Sequence, residues 1–551
     1  MNPLDLINVP SLSQVFEDSR HLDSLARSLA AFLKNQRWFA AKNEGLQSVD
    51  IFDSVEIPSD QVTFELLLAT VVTRGGSTDC YAVPIACVAE ASTDDEANIS
   101  EETAIATLAG DETSITPLFR LVECSGDSEF WRAMTTALAE KKLTTRNGRV
   151  LWFSRTACSK LSSSDVLRKS DFKVHGGDQS NSAVAIGDQF FLKLFRRPRI
   201  GHNPEAEVGI LLTDRTDFKN SPQVEATIEI SGADGNRCLA LVSEQVHADT
   251  DAWTYTLNNL NSYWERLARL ENRPDVPPGR GNIQKTDSKL DEVNVLVEKL
   301  MTPFHSEIVQ LGRRTAELHA ALSSCNDDPA FAPEPMTHDT LSEQIVQIRN
   351  EVQVTCKLLE KSRLDYKFDV DLPTEIRERA NRKLDDMASF EVAQAGIVNI
   401  RCHGDYHLGQ VLRTKFDFVI LDFEGEPDRT FAERRQKRCA MKDVAGMVRS
   451  LHYASCTTAV GMLPPPDRKI TNLNHWQRFW YECTADAFIA AYKESTAGQP
   501  FVPANWHAFN TLLDLFLIEK VLYELRYEIN NRPDWVQIPL AGLNAVLGLQ
   551  A

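Results

Sequence analysis

An α+β chain, strand-rich in its first half and helical in its second, is what this sequence predicts. Three observations carry that expectation. Asn181 to Ile186 and Gln189 to Phe195 are apolar runs joined by Gly187-Asp188, a good two-residue hairpin turn. Beyond about residue 300, apolar residues recur at helical spacing through several long segments. Between those segments, two short apolar stretches flank the loop Cys402-His403-Gly404-Asp405.

At 551 residues the chain is too long for one ordinary core, and three or four domains or subdomains are expected. Its composition is that of a soluble globular protein. A formal charge of −19 argues against a nucleic-acid partner, which would need a basic face against phosphates. No apolar run approaches the roughly 18 residues that would span a bilayer, so no membrane partner is expected. Met1 to Arg20 carries Asp5, Glu17 and Asp18 without an apolar core, unlike a signal peptide. The 11 cysteines are scattered with no CxxC pair, which suits reduced thiols and a cytoplasmic protein.

In chain order, Leu22 to Leu33 predicts a helix running into Gln36-Arg37-Trp38-Phe39. Strand-like alternation follows at Val62 to Leu68 and Cys80 to Ile85. Thr93 to Glu102 is acidic and reads as an exposed loop, and a small α+β unit is expected up to about residue 155. After the 181–195 hairpin come a helix over Pro204 to Leu212 and a strand over Cys238 to Val242. Asn272 to Ser288 is a polar, Pro- and Gly-containing linker. Helices are expected over Ile308–Leu322, Leu341–Lys361, Glu375–Ala393, Val444–Ala454, Trp476–Tyr492 and Trp506–Asn530. Strands in this half are expected only near Ile397–Ile400 and Phe418–Leu421.

The chemistry-bearing stretch runs His403-Gly404-Asp405-Tyr406-His407-Leu408-Gly409-Gln410, followed by Ile420-Leu421-Asp422-Phe423-Glu424. An acid, an amide five residues later and an apolar run ending in Asp-Phe is a phosphotransfer layout. One carboxylate must face an acceptor hydroxyl, while an amide and a second carboxylate converge on the magnesium that bridges the phosphates. Asp405 is the candidate catalytic base, and Gln410 and Asp422 are the candidate metal ligands. Glu424 either adds a metal or water contact or pairs with Arg429 or Arg434. His403 is expected to orient the loop, and His407 to contact the acceptor.

Upstream, Lys193 is a lone cation in the apolar strand Phe190 to Phe195, where burial unpaired would be costly. Glu207, on the following helix, is its expected partner in positioning phosphates. Gln179, Ser180, Asn181 and Ser182 form a small, polar loop suited to covering phosphates with backbone N–H groups. Glu244 to Val246 is the expected hinge that meets adenine, so ATP and Mg2+ are the expected cofactors.

In the last long helix, Leu517, Ile518, Val521, Leu522, Leu525 and Ile529 form an apolar stripe. The other face holds Lys520, Tyr523, Glu524, Tyr527 and Glu528. Lys520 before Glu524 is the weaker i,i+4 order, and Glu524 with Glu528 is a like-charge pair, so helix-surface pairing explains little of this face. Two readings stand: contact with a sugar through Lys520, Tyr523, Glu524 and Tyr527, or a solvated or packing face.

With these residues assembled, the chain resembles the bacterial maltokinases, relatives of the aminoglycoside phosphotransferases in the eukaryotic-protein-kinase-like superfamily. The resemblance rests on QRWFAAK at Gln36–Lys42, QSNSAVAIGDQFFLKLFRR at Gln179–Arg197, NPEAEVG at Asn203–Gly209 and LGRRTAELHAAL at Leu311–Leu322. It continues through FAPEP at Phe331–Pro335, HGDYHLGQVLRT at His403–Thr414, ILDFEGEP at Ile420–Pro427, RRQKRCAMKDVAGMVRSLHYA at Arg434–Ala454 and EKVLYELRYEINNRPDWVQIPL at Glu519–Leu540. It implies a bilobal protein-kinase-like fold with a cystatin-like cap over 1–90, an intermediate subdomain over 91–155, an N-lobe over 156–247 and a helical C-lobe over 248–551. The implied activity is ATP-dependent phosphorylation of maltose at its anomeric hydroxyl, giving maltose 1-phosphate for α-glucan synthesis. The alternatives are a same-fold kinase of glucosamine or trehalose, or a non-catalytic scaffold. Tyr406 departs from the Leu usual at that position and adds a hydroxyl near Asp405. Related modules are sometimes fused behind a trehalose synthase, so association with such an enzyme is a further expectation.

Overall fold

The structure is a computed structural model of the 551-residue chain. It describes residues 6–39, 44–59, 62–89, 102–109, 119–161, 164–175, 180–271, 273–274, 276, 287–366, 371–390, 396–427, 429–458, 461–462, 470 and 472–548. The expected phosphate-loop residue Gln179 lies outside the described residues, as do most of the expected Thr93–Glu102 loop and the Asn272–Ser288 linker. The chain divides into two compact units, one of residues 1–214 and 222–245 and one of residues 215–221 and 246–551.

In the first unit, a six-stranded sheet is ordered Leu6–Ile7, Ala104–Leu108, Phe119–Glu123, Thr78–Ala89, Thr63–Thr73 and Leu46–Ile57 among the described residues. Its central strands are apolar on both faces because both are covered. Leu67, Ala69, Val71, Tyr81 and Val83 pack with Leu25, Leu29, Phe32 and Leu33 of the helix Ser19–Asn35. The alternate residues Phe64, Leu66, Leu68 and Ala82 pack with Phe130, Trp131 and Met134 of the helix Ser128–Glu140. The same cluster continues into the second sheet through Leu192, Leu194, Ile228 and Val242.

That second sheet has the order Leu143–Thr144, Val150–Arg155, Val224–Ile230, Arg237–Glu244, Phe190–Leu194, Ser182–Ile186 and Phe172–His175. The expected hairpin is present, with Ser182 opposite Leu194 and Ile186 opposite Phe190. Gly187 supplies the turn with φ +56°.

Two expected boundaries are corrected. The first sheet does not end near residue 90, since Ala104–Leu108 and Phe119–Glu123 pair within it. The separate 91–155 subdomain likewise dissolves, because Val150–Arg155 pairs with Val224–Ile230 in the second sheet. Strand pairing between segments far apart in sequence decides both, and no composition shift marks it.

The second unit is mainly helical. Its longest described helices are Ala252–Arg269, Phe304–Leu322, His338–Tyr366, Leu372–Ala388, Met441–Cys456, Leu473–Ser495 and Trp506–Asn531. Leu473–Ser495 lies along Phe304–Leu322, and Trp506–Asn531 packs against Met441–Cys456, His338–Tyr366 and Gln537–Leu547. Strands are more numerous here than expected. Val411–Arg413 pairs with Phe418–Ile420 on one side and Thr250–Asp251 on the other, and Glu334–Pro335 pairs with Val398–Asn399. Segments of two or three residues carry no alternation to read, so only their tertiary partners define them. No helix among the described residues is long and apolar enough to cross a membrane.

Candidate active site

The hairpin Val411–Arg413/Phe418–Ile420 positions the candidate phosphotransfer residues of the second unit. Its register sets Val411 opposite Ile420, and Leu421 N–H donates to the Gln410 carbonyl over 2.9 Å. The side chains of Gln410 and Asp422 therefore meet despite their sequence separation, with Gln410 Nε2 2.9 Å from Asp422 Oδ2. Asp422 holds φ +62°, a left-handed conformation uncommon outside glycine and a form of strain that collects at functional positions. Ligand atoms of Asp422 and Glu424 lie within 4.8 Å of one another. Two carboxylates and an amide suit a hard divalent cation. Arg434 Nη1 stands 3.7 Å from Glu424 Oε2 and also bonds the Glu424 carbonyl.

Asp443, which no sequence motif singles out, builds the loop that carries Asp405. Its carboxylate accepts the His403 N–H at 2.8 Å and the Gly404 N–H at 2.9 Å. His319 Nε2 adds a third bond at 3.0 Å, while His319 Nδ1 faces the Tyr492 hydroxyl at 2.8 Å. With Asp443 ionised, Nε2 carries the imidazole proton and Nδ1 accepts from Tyr492. Burial pushes the Asp443 carboxyl up, but the bonds from His319 and the loop amides outweigh it and hold it below its ordinary value. The only signal in the sequence was an Asp inside an otherwise apolar helix, in Met441-Lys442-Asp443-Val444-Ala445.

His403 ties this loop to the metal segment, since its Nε2–H donates to the Leu421 carbonyl over 2.8 Å. Gly404 has φ +87°, and a Cβ there would stand 3.3 Å from Gly425 Cα, so the close approach of the two segments requires glycine. Gly446 plays a similar part against the Tyr406 carbonyl, which a Cβ would meet at 2.5 Å. Tyr406 is buried and its hydroxyl is engaged by Thr315 at 2.8 Å. The hydroxyl expected beside Asp405 thus serves packing.

Asp405 is half-buried, and Lys520 Nζ stands 3.0 Å from its Oδ1, a charge-assisted hydrogen bond. Burial pushes its carboxyl up, but the charges of Lys520 and His407 and the Lys520 bond hold it below the usual range. His407 Nε2 lies 3.9 Å from Asp405 Oδ2, and its Nδ1 accepts the Gly409 N–H at 3.0 Å. Burial lowers the His407 pKa, which favours the neutral ring.

The face predicted for sugar contact divides. Lys520 reaches Asp405, and Tyr523 stacks on Tyr527 with ring centroids 6.3 Å apart. Tyr527 is exposed and Tyr523 half-buried. Glu524 is a correction: it is buried and takes two bonds from Arg449, at 2.9 Å and 2.7 Å. Glu528 is also buried, accepting from Tyr453 at 3.2 Å and Arg532 at 2.8 Å. The helix is central rather than two-faced, because neighbours surround it and internal cations match its carboxylates.

In the first unit, Lys193 Nζ pairs with Glu205 Oε2 at 2.8 Å. The expected partner, Glu207, lies two residues further along the same helix. Asn203 caps the helix Pro204–Arg215, its side-chain oxygen accepting from Glu205 N at 2.9 Å and Ala206 N at 3.1 Å. The cap fixes the helix phase and turns Glu205, itself buried, toward the strand. Around the expected phosphate loop, Ser180 is exposed and the Asn181 side chain accepts the Arg196 N–H at 3.3 Å. Ser182 opens a strand and is buried. At the expected hinge, Glu244 N–H bonds the Gln223 carbonyl at 2.8 Å, and the chain passes between units from Gln245 to Val246.

Residues 32–114 match the family of the maltokinase N-terminal cap domain. A glucosamine kinase of Streptacidiphilus jiangxiensis is 24% identical over 373 residues, covering 67% of this chain and 72% of its own. A glucosamine kinase of Mycolicibacterium smegmatis is 25% identical over 378 residues, covering 67% and 78%. Among solved structures, a glucosamine kinase in complex with glucosamine, ADP and inorganic phosphate is similar with a TM-score of 0.57 and 18% identity, across 95% of this chain and 99% of that one. At that identity the likeness speaks for the fold.

Proposed function

We propose that this chain, a maltokinase-like protein of the aminoglycoside phosphotransferase-related kinases, transfers the γ-phosphoryl group of ATP to a sugar hydroxyl, with the anomeric hydroxyl of maltose as acceptor. The observation that carries the phosphotransfer reading is the pairing of a loop carboxylate, Asp405, with the Gln410–Asp422 contact made by one hairpin. The maltokinase cap match supports maltose.

Asp405 orients the acceptor hydroxyl and takes its proton late, as a loose phosphoryl-transfer transition state requires. Lys520 keeps that carboxylate ionised and places a positive charge beside the acceptor oxygen. Magnesium would be held by Asp422 and Gln410 with Glu424 beside them, and when bound it neutralises phosphate charge. Lys193, fixed by Glu205, is the phosphate-facing cation of the first unit.

Glucosamine is the second reading, favoured by the names of both curated relatives. Coupled ADP release with ATP, magnesium and a panel of maltose, trehalose, glucose and glucosamine separates the two. Turnover on maltose, with maltose 1-phosphate as the product, is the expected result. Turnover on glucosamine without turnover on maltose would overturn the maltose assignment, and no sugar-dependent ADP release at all would overturn the kinase reading.

A further inference from the structure

Next to Asp405 the second unit holds a compact network of buried and half-buried charges. Lys442 Nζ lies 2.9 Å from Glu426 Oε1 and 3.4 Å from Glu519 Oε1. Arg429 reaches the same two acids, Glu426 at 3.0 Å and Glu519 at 3.6 Å. Lys520 and Asp405 complete the group at 3.0 Å. Two hollows share these walls: Gly404, Glu426, Lys442 and Glu519 line both, Lys520 the first and Arg429 the second. The second opens to solvent.

Among these side chains, three carboxylates are each bonded to at least one of three cations. Arg434 and Arg438 add guanidinium groups to the wall of the second hollow, where Glu433 is the remaining acid. Glu433 is itself engaged at the Thr430 cap. Protein cations therefore already neutralise these acids.

A ligand ammonium entering such a wall finds no excess negative charge and must approach Lys442 and Arg429. Uncharged hydroxyls meet no such penalty. They can accept from the cations and donate to the remaining lone pairs of the carboxylates. Resting on the reading that Asp405 marks the acceptor side of a sugar kinase, we infer that Arg429 and Lys442 determine acceptor selectivity. They keep the pocket electrically balanced, so that it takes an uncharged polyhydroxylated ring and disfavours one bearing an ammonium group.

The test compares kcat/KM for maltose, glucose and glucosamine, with ATP and magnesium, in the full-length wild type and in Arg429→Gln, Lys442→Gln and Arg429→Gln/Glu426→Gln. The wild type is expected to favour an uncharged sugar over glucosamine by at least about tenfold. Arg429→Gln or Lys442→Gln should shift that ratio toward glucosamine by about tenfold, and the double variant, which restores balance, should return it. Should Lys442→Gln fail to fold, the wild-type ratio and the more exposed Arg429 position still decide the matter. A wild type that prefers glucosamine, or a folded Arg429→Gln with an unmoved ratio, overturns the inference while leaving the kinase reading intact. Absence of transfer to any sugar by the wild type overturns both.

Discussion

Lys520 Nζ stands 3.0 Å from Asp405 Oδ1, joining the last long helix to the loop that follows His403. Burial would lower the Lys520 pKa, but Asp405, Glu426 and Glu524 outweigh it and raise it, so the ammonium persists across the working pH range. Burial would likewise raise the Asp405 pKa, and Lys520 reverses the sign. The candidate catalytic carboxylate is thereby kept ionised by a residue distant in sequence.

Removing that ammonium has a defined pH signature. Asp405 acts as a base when ionised, and its lowered pKa means activity is held above that value and lost as pH falls through it. Lys520→Met should move the acid limb of the kcat/KM profile to higher pH. At neutral pH the loss should be about tenfold, equivalent to about 1.4 kcal/mol of barrier. An acid limb that stays in place would detach Lys520 from Asp405 function.

Asp405→Asn keeps the size of the side chain and removes the base. Phosphotransfer should fall by at least about 100-fold, the lower range for general-base contributions. The fold should persist, since the Asp443 anchor of the loop is untouched, with the thermal unfolding midpoint lowered only by the loss of the Lys520 counter-charge. Near-normal turnover in this variant would refute the catalytic assignment.

The two candidate partners of Lys193 can be separated by nucleotide kinetics. Glu205→Gln removes the carboxylate at 2.8 Å and should raise the KM for ATP several-fold more than Glu207→Gln. Lys193→Ala should do the same or worse. Equal effects of the two glutamate variants would contradict the geometry.

Glu524 is expected to act in stability rather than in sugar contact. Glu524→Gln leaves Arg449 buried without its counter-charge and should cost about 3–5 kcal/mol in chemical denaturation. Replacing both partners with leucine should recover much of that loss, because two apolar groups leave no uncompensated charge. The sugar KM of the folded fraction should be unchanged in either case.

Asp443 couples loop geometry to acid stability. Its pKa is lower in the fold than in the unfolded chain, since burial is outweighed by His319 and the loop amides. The stabilisation is therefore complete above the unfolded pKa and disappears as pH falls through the folded one. Asp443→Asn should lower the midpoint of thermal unfolding at neutral pH by an amount equivalent to about 3 kcal/mol, from lost charge-assisted bonds. The difference from wild type should shrink on acidification, which melting curves from neutral to acidic pH would show.

The candidate phosphotransfer residues were legible because the pattern that marks them is local. His403 to Gln410 forms one short loop, Asp422 ends the next apolar run, and the turn chemistry of Gly187-Asp188 announced the hairpin that carries Lys193. Helix periodicity similarly located six helices of the second unit to within about five residues, but gave no reading of Ala252–Arg269 or Asp287–Met301. Domain limits were less legible, because Ala104–Leu108 and Val150–Arg155 belong to sheets whose other strands lie far away in the chain.

By itself, then, the sequence determined residue types, periodicities and spacings: a carboxylate loop, an amide and acid at hairpin distance, and a lysine on an apolar strand. Tertiary structure alone decided which charges meet. It gave Lys193 to Glu205, turned Glu524 inward to Arg449, recruited Asp443 to hold the loop, and set Lys520 against Asp405. Periodicity specifies the face of a helix, but an ion pair depends on which helix packs opposite that face. Burial then makes the pairing compulsory, because a charge removed from water must find its counter-charge or lose its proton.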